Sequence, residues 1–324
     1  MSSLSDIEDF AALAPRITGS MSAVSSAMII FLIFRSTAKL STIYHRIMFG
    51  MSIADIMTSS ALALTTLPMP KNDDQVWSDK YDGDIKWEGQ TKLGNMQTCE
   101  AQGVFFICGM QTMFAYNGML CIYYTCAIAF KMQEKDIRNK VEPFIHGVPL
   151  LLGLGSVILG LIFDLYNPIH EMPFCVIFPL SNSRANVASK IFRVLPLSLI
   201  GGLLVVILVS FSLIIWRVRK DAGKCIPVAD ADNQGDNIQI EKRMKAVHRN
   251  TKLISAQSLA YVGAFLLTLA FPFMRSIAVS LTSQSNGFYV MMGKCMVIFS
   301  PMQGFFNFII FLWHKGEDDN CSNP

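Results

Sequence analysis

The stretch AQGVFFICGMQTMFAYNGMLCIYYTCAIAF, Ala101 to Phe130, runs for thirty residues without one charged side chain. A helix rises about 1.5 Å per residue and a bilayer's hydrocarbon core is about 30 Å thick, so roughly 20 apolar residues cross it. Ala101 to Phe130 passes that test, and six other segments pass it too. Ile17 to Phe34, Pro143 to Phe163, Val194 to Trp216 and Leu253 to Met274 carry no charge. Ile47 to Met69 carries only Asp55, and Gly287 to Trp313 carries only Lys294. The whole chain agrees, with 324 residues, 52% of them hydrophobic and 16% charged. A soluble domain carries about 25% charged residues. The expected fold is all-α, a bundle of seven transmembrane helices over residues 17–313. A short segment, 1–16, precedes it and a short tail, 314–324, follows.

Lysine and arginine in short loops face the cytoplasm. With the N-terminus outside, the inner loops and tail hold 17 of the 27 basic residues. Four of the others lie in the acidic loop from Lys71 to Thr98. The expected topology is therefore an extracellular N-terminus and a cytoplasmic C-terminus, in a multi-pass protein of the plasma membrane. Residues 1–16 are polar and acidic and do not read as a cleavable signal peptide. The sequon Asn320-Cys321-Ser322 falls on the cytoplasmic side, where it stays unmodified, so a glycan on Asn320 would overturn this topology.

The loops carry further expectations. Lys71 to Thr98 holds six acidic residues with Trp77 and Trp87, and reads either as a solvated flap or as an aromatic, acidic lid. The loop after the fifth span has basic ends around a polar middle, Pro227 to Gln239. Its ends anchor the adjacent helices, and they also offer a surface to a cytosolic partner. Cys99 precedes the third span and Cys175 lies between the fourth and fifth, both on the oxidising side, which favours a disulfide over two free thiols. Cys108, Cys121, Cys126 and Cys295 lie in apolar spans and read as small buried hydrophobes. Gly147, Gly153, Gly155 and Gly160 allow close helix contact in the fourth span. Pro196 and Pro272 bend the fifth and sixth.

An ionisable group inside a bilayer is costly and marks a functional candidate. Counting from the inner helix ends places Asp55 at a depth of roughly 13 Å, Gln303 at about 15 Å and Asn307 at about 9 Å. Gln303 and Asn307 are four residues apart and share a face. An intramembrane cluster of Asp55, Gln303 and Asn307 follows. It is either a structural tie between the second and seventh helices or a rearranging hub that holds a cation or a proton. Lys294 reaches the interface with its long stem or serves as a ligand-binding amine. Gln111 and Asn117 in the third span join it as ligand-pocket candidates.

Seven spans, the Cys99 and Cys175 pair and Ser52-Ile53-Ala54-Asp55 together resemble the G-protein-coupled receptor superfamily. The Ala-Asp pair resembles the second-helix aspartate motif of rhodopsin-like receptors. Pro301-Met302-Gln303-Gly304-Phe305-Phe306-Asn307 resembles the seventh helix of cyclic-AMP-receptor-like and secretin-like branches. Asn307-Phe308-Ile309-Ile310-Phe311 resembles Asn-Pro-x-x-Tyr with its proline and tyrosine replaced. The third span ends Ile122-Tyr123-Tyr124-Thr125-Cys126, without Asp/Glu-Arg-Tyr, and the fourth has no tryptophan. Ala270-Phe271-Pro272 keeps the sixth helix's proline but not its tryptophan. These departures point to a divergent branch. The tail after Trp313 is too short for a separate amphipathic helix.

The resemblance implies a receptor that shifts between two states and passes an unknown extracellular signal to a heterotrimeric G protein. Position and charge nominate Arg138, Arg217, Arg219, Lys242, Arg243 and Lys245 as the coupling surface. The alternative is an ion- or proton-coupled transporter using Asp55, although no internal repeat supports it. A third reading, a retinal protein, needs a lysine where the motif alignment places Pro301 rather than Lys294. No phosphate loop, metal spacing or nucleophile elbow is present, so no enzyme, cofactor or metal is expected. No basic patch suggests nucleic acid.

Overall fold

The computed structural model describes residues 4–70, 91–169, 172–177, 201–217, 220, 255–274 and 287–322. The described chain is a bundle of helices with one two-stranded hairpin at one end. Helix α1 spans Leu4–Arg35, α2 Ile43–Leu64 and α3 Met96–Tyr124. A short helix α4, Glu134–Lys140, leads into α5, Glu142–Ile162. Strands β1, Tyr166–Ile169, and β2, Met172–Ile177, pair antiparallel. Then come α6, Gly201–Arg217, α7, Ser255–Met274, α8, Gly287–Phe299, and α9, Gln303–Ser322. Helices α1, α2, α3, α5 and α7, and α8 with α9 together, give six segments long and apolar enough to cross a membrane, and α6 is a shorter seventh. The chain is a multi-pass membrane protein.

Local chemistry sets the helix ends. Thr42 caps α2 by accepting from the His45 N–H. Asn95 and Thr98 exchange side-chain and backbone bonds to form a capping box for α3. In α4, Glu134 and Asp136 sit in the first turn and Arg138 and Lys140 in the last, matching the helix dipole. Three features depart from the sequence expectation. Helix α1 begins at Leu4, well before the apolar run at Ile17. The last span is two helices, because Pro301 has no N–H to bond one turn back and the chain tightens into a 3₁₀ turn at Ser300–Met302. Beyond Trp313, α9 continues through Ser322, so the last helix runs on into the short tail expected at 314–324.

The bundle exposes apolar side chains on its outside and buries polar ones among an apolar core. On α5, Leu151 is 74% and Ile162 66% exposed, whereas Asp55, Gln303 and Asn307 are each 1–2% exposed. Water would reject that distribution and lipid accepts it. Without a hydrophobic drive between helices in lipid, close backbone approach holds the bundle. Helix α1 packs on α2, α2 on α3 and α3 on α5, while α1 also meets α8 and α9. Gly153 and Gly160, two turns apart on α5, press on Thr112 of α3 and on Tyr166 of β1. Gly147 and Gly155 lie on other faces with nothing described within 4 Å, so only half of the expected glycine series makes contact. Pro272 ends up in a cavity wall, and Pro196 lies outside the described residues.

Candidate functional site

Three layers stack along the bundle, and the first is a roofed cavity. The Cys99–Cys175 disulfide, Cα–Cα 5.5 Å, pins β2 to the start of α3. Gln102, one turn along α3, donates to the Ala61 and Thr65 carbonyls and accepts from the Cys175 N–H. Arg16 reaches across from α1 to the Thr65 hydroxyl at 2.7 Å. Thr65 has φ 46°, a left-handed conformation unusual for threonine, and these bonds fix it. Burial pushes the Tyr166 phenol above its ordinary range. Side chains alternate along a strand. Met172, Phe174 and Val176 therefore all face into the bundle, and the Phe174 ring packs on Phe106.

Beneath that hairpin lies a cavity of about 230 Å³, walled by α1, α2, α3, α7, α8 and β2. Its described lining is apolar except for the hydroxyls of Thr58, Thr268 and Ser300. The three expected pocket residues do not line it. The Asn117 amide bonds back to the Met113 carbonyl of its own helix, deeper in the bundle. Gln111 is buried elsewhere on α3, and the Lys294 ammonium sits over the Phe10 ring of α1.

The second layer is the polar hub under the cavity floor. Ser22, Ser26 and Ser59 donate to one oxygen of Asp55 at 3.1, 2.7 and 3.3 Å. Ser22 also accepts from the Gly304 N–H at 2.9 Å, tying α1 to α9. Beside this, Thr268 donates to Gln303 at 2.7 Å and Gln303 donates to Asn307 at 3.1 Å. Asp55 makes no hydrogen bond to Gln303 or Asn307, which corrects the single cluster expected. Gln303 and Asn307 share one face of α9, and Gly304, on the next face, is what α9 presents to the aspartate. Two cavity residues touch this layer directly. Thr268 holds Gln303, and the Pro301 carbonyl lies 3.5 Å from the Ser59 hydroxyl. The four-residue spacings Ser22–Ser26 and Asp55–Ser59 were the available signal for these partners.

The third layer closes the opposite end. Gln257 of α7 donates to the Tyr44 hydroxyl of α2 at 2.8 Å, and Tyr44 and Tyr261 share a hydrogen bond of 2.9 Å. Phe311 of α9 stacks on Tyr44. Tyr124 of α3 is 3% exposed, and its hydroxyl has no hydrogen-bond partner among the described residues. Around it Asn117, Cys121, Ile207 and Ser258 close a crevice with no room for a water. Just beyond, α3 widens into a π-helical turn, Thr125–Ala129. Arg46 of α2 makes a two-pronged ion pair with Glu142 of α5. Of the expected coupling residues, Arg138 donates to the Ser41 carbonyl at 2.7 Å and Arg217 ends α6. Arg219, Lys242, Arg243 and Lys245 lie outside the described residues.

No protein-family model and no curated protein matches the sequence. The structure does find relatives in shape. It matches the crystal structure of squid rhodopsin with a TM-score of 0.62 at 13% identity, covering 100% of this chain and 93% of that one. Identity that low carries architecture and no more: the chain has the seven-helix fold of rhodopsin.

Proposed function

We propose that this chain is a G-protein-coupled receptor of the plasma membrane, in a branch diverged from the rhodopsin-like pattern. One observation carries the reading: the walls of a roofed cavity share hydrogen bonds with a buried polar hub, and the far end of the same helices is shut by a tyrosine cluster. Helix α7 spans all three layers. It lines the cavity with Thr268, Leu269 and Pro272, and it closes the far end with Tyr261 and Gln257. A ligand that bears on Thr268 or Pro301 then acts on the equilibrium of α7 through Gln303 and Asp55. It shifts that equilibrium only as far as its affinities for the two states differ. In the shut state Tyr44, Gln257 and Tyr261 hold α7 against α2, and Tyr124 is buried in the same crevice.

The basic bias puts the tyrosine end in the cytoplasm, and a disulfide belongs at the oxidising end. Residues 1–16 are then extracellular and 314–324 cytoplasmic. Arg138, Arg217, Arg219, Lys242, Arg243 and Lys245 would face the G protein. Charge reversal there should abolish nucleotide exchange without disturbing the cavity.

Asp55 supports a second reading, ion-coupled transport, because among the described residues its side-chain hydrogen bonds come from the hydroxyls of Ser22, Ser26 and Ser59 and no basic side chain pairs with it. Retinal gains no support, since the Lys294 amine lies over Phe10 and not in the cavity. Proteoliposomes separate the first two. A receptor stimulates guanine-nucleotide exchange on a heterotrimer when a ligand panel is added and moves no solute. Gradient-driven uptake abolished by Asp55→Asn, with no exchange on any trimer, would overturn the receptor reading.

A further inference from the structure

We infer that the cavity takes a small, uncharged, lipophilic ligand with one hydrogen-bonding group, and that this group meets Ser300. The inference rests on reading the cavity as the receptor's ligand site. Size comes first. An apolar cavity of about 150 Å³ accepts benzene, so about 230 Å³ holds roughly nine or ten heavy atoms. The walls come second. Phenylalanine rings and thioethers, Phe106, Phe174, Met110 and Met296 among them, suit a flat or flexible hydrocarbon body. No ionisable side chain is among the described lining, so a charged ligand would lose its hydration without a counter-ion.

Ser300 supplies the polar point. A hydroxyl in a membrane helix ordinarily bonds the carbonyl one turn back. Thr18, Thr58, Thr125 and Ser212 do this, to Ala14, Ala54, Cys121 and Leu208. Thr268 is engaged with Gln303. Ser300 alone among the cavity hydroxyls has a buried oxygen with no partner among the described residues. It sits in the 3₁₀ turn before Pro301, where the helical ladder is interrupted. An unmet hydroxyl in apolar surroundings is costly, and a ligand carbonyl or hydroxyl placed against it recovers that cost. The same turn carries the Pro301 carbonyl that faces Ser59, so a ligand held at Ser300 stands one residue from the hub.

Four probes with one aryl body test this: acetophenone, ethylbenzene, phenylacetate and phenethylammonium. Binding is measured by titration calorimetry on the full chain in nanodiscs. Val297→Phe fills the cavity and gives the baseline for partition into lipid, and Met110→Phe replaces it if that variant does not fold. Acetophenone should bind roughly two- to tenfold more tightly than ethylbenzene, the worth of one neutral hydrogen bond. Ser300→Ala should erase that preference while ethylbenzene still binds, and neither ion should bind above baseline. Binding of either ion as tight as acetophenone's, an undiminished preference in Ser300→Ala, or unchanged binding in the filled variant would overturn the inference. The assay reads binding alone. A chain that binds as described but drives no exchange would sink the receptor reading and leave this one standing.

Discussion

Gly304→Ala probes the join between Asp55 and the last helix. A methyl at Gly304 would lie 2.1 Å from one Asp55 carboxylate oxygen and 2.2 Å from the Ser26 hydroxyl. Ordinary contact begins at 3.4 Å, so α9 or the carboxylate must retreat by about 1.3 Å, the difference between those distances. The carboxylate cannot simply swing away, because three serines hold the same oxygen. Overpacking costs about 1–3 kcal/mol. Loss of two interhelical bonds, the Gly304–Ser22 bond among them, adds about 1 kcal/mol each in a membrane protein. The total is about 3–5 kcal/mol, a large part of a typical 5–15 kcal/mol. At about 2–4 °C per kcal/mol the midpoint falls by roughly 6–20 °C. A thiol-reactive dye in detergent reads the unfolding, since Cys121 and Cys126 are free and buried. Gly155→Ala, with nothing described within 4 Å, should melt like the parent. Adding Ser26→Ala to Gly304→Ala removes one clash and should restore part of the loss. A Gly304→Ala chain that melts like the parent would refute the packing argument.

Gln102→Leu strands two carbonyls and the Cys175 N–H together, and should cost about 2–4 kcal/mol in the same melt. The disulfide closes a loop of 76 residues, so reduction should cost up to about 4.5 kcal/mol, less where bilayer-inserted spans stay confined when unfolded. Thr268→Val cuts the bond to Gln303 and should abolish ligand-stimulated exchange while stability changes by about 1 kcal/mol or less. Because burial raises the Tyr166 phenol in the fold, the unfolded chain loses that proton first. Its contribution is then fully present below about pH 10 and is lost as pH rises further. Alkaline melts of Tyr166→Phe should be flatter than those of the parent.

Much of the fold was readable because lipid imposes a simple rule of long charge-free runs, and Ala101–Phe130 obeys it. Cys99 and Cys175 were readable as a pair because both fall on one side of that pattern. The break at Pro301 was partly visible in the proline, but not the 3₁₀ turn that leaves Ser300 facing a cavity. Polarity alone does not reveal the partners of Asp55 in the hub. Asp55, Gln303 and Asn307 stand out as polar among apolar residues, whereas Ser22, Ser26 and Ser59 look ordinary, and Gly304 carries no polar atom to notice. The tyrosine cluster was missed because Tyr44, Tyr124 and Tyr261 lie on three helices, and one strand of sequence does not show which faces meet. Gln111 and Asn117 are polar, whereas the described lining of the cavity is apolar and includes neither.

The central claim is that the tyrosine end is a shut gate for a G protein. Tyr261→Phe removes the hydroxyl shared with Tyr44 and leaves the ring in place. Guanine-nucleotide exchange on purified heterotrimers, with the chain in nanodiscs and no ligand added, reads the gate directly. We predict that Tyr261→Phe exchanges severalfold faster than the parent, the effect of one lost hydrogen bond worth about 1 kcal/mol. Equal rates for the two chains on every trimer class, with both folded by melt, would contradict the account.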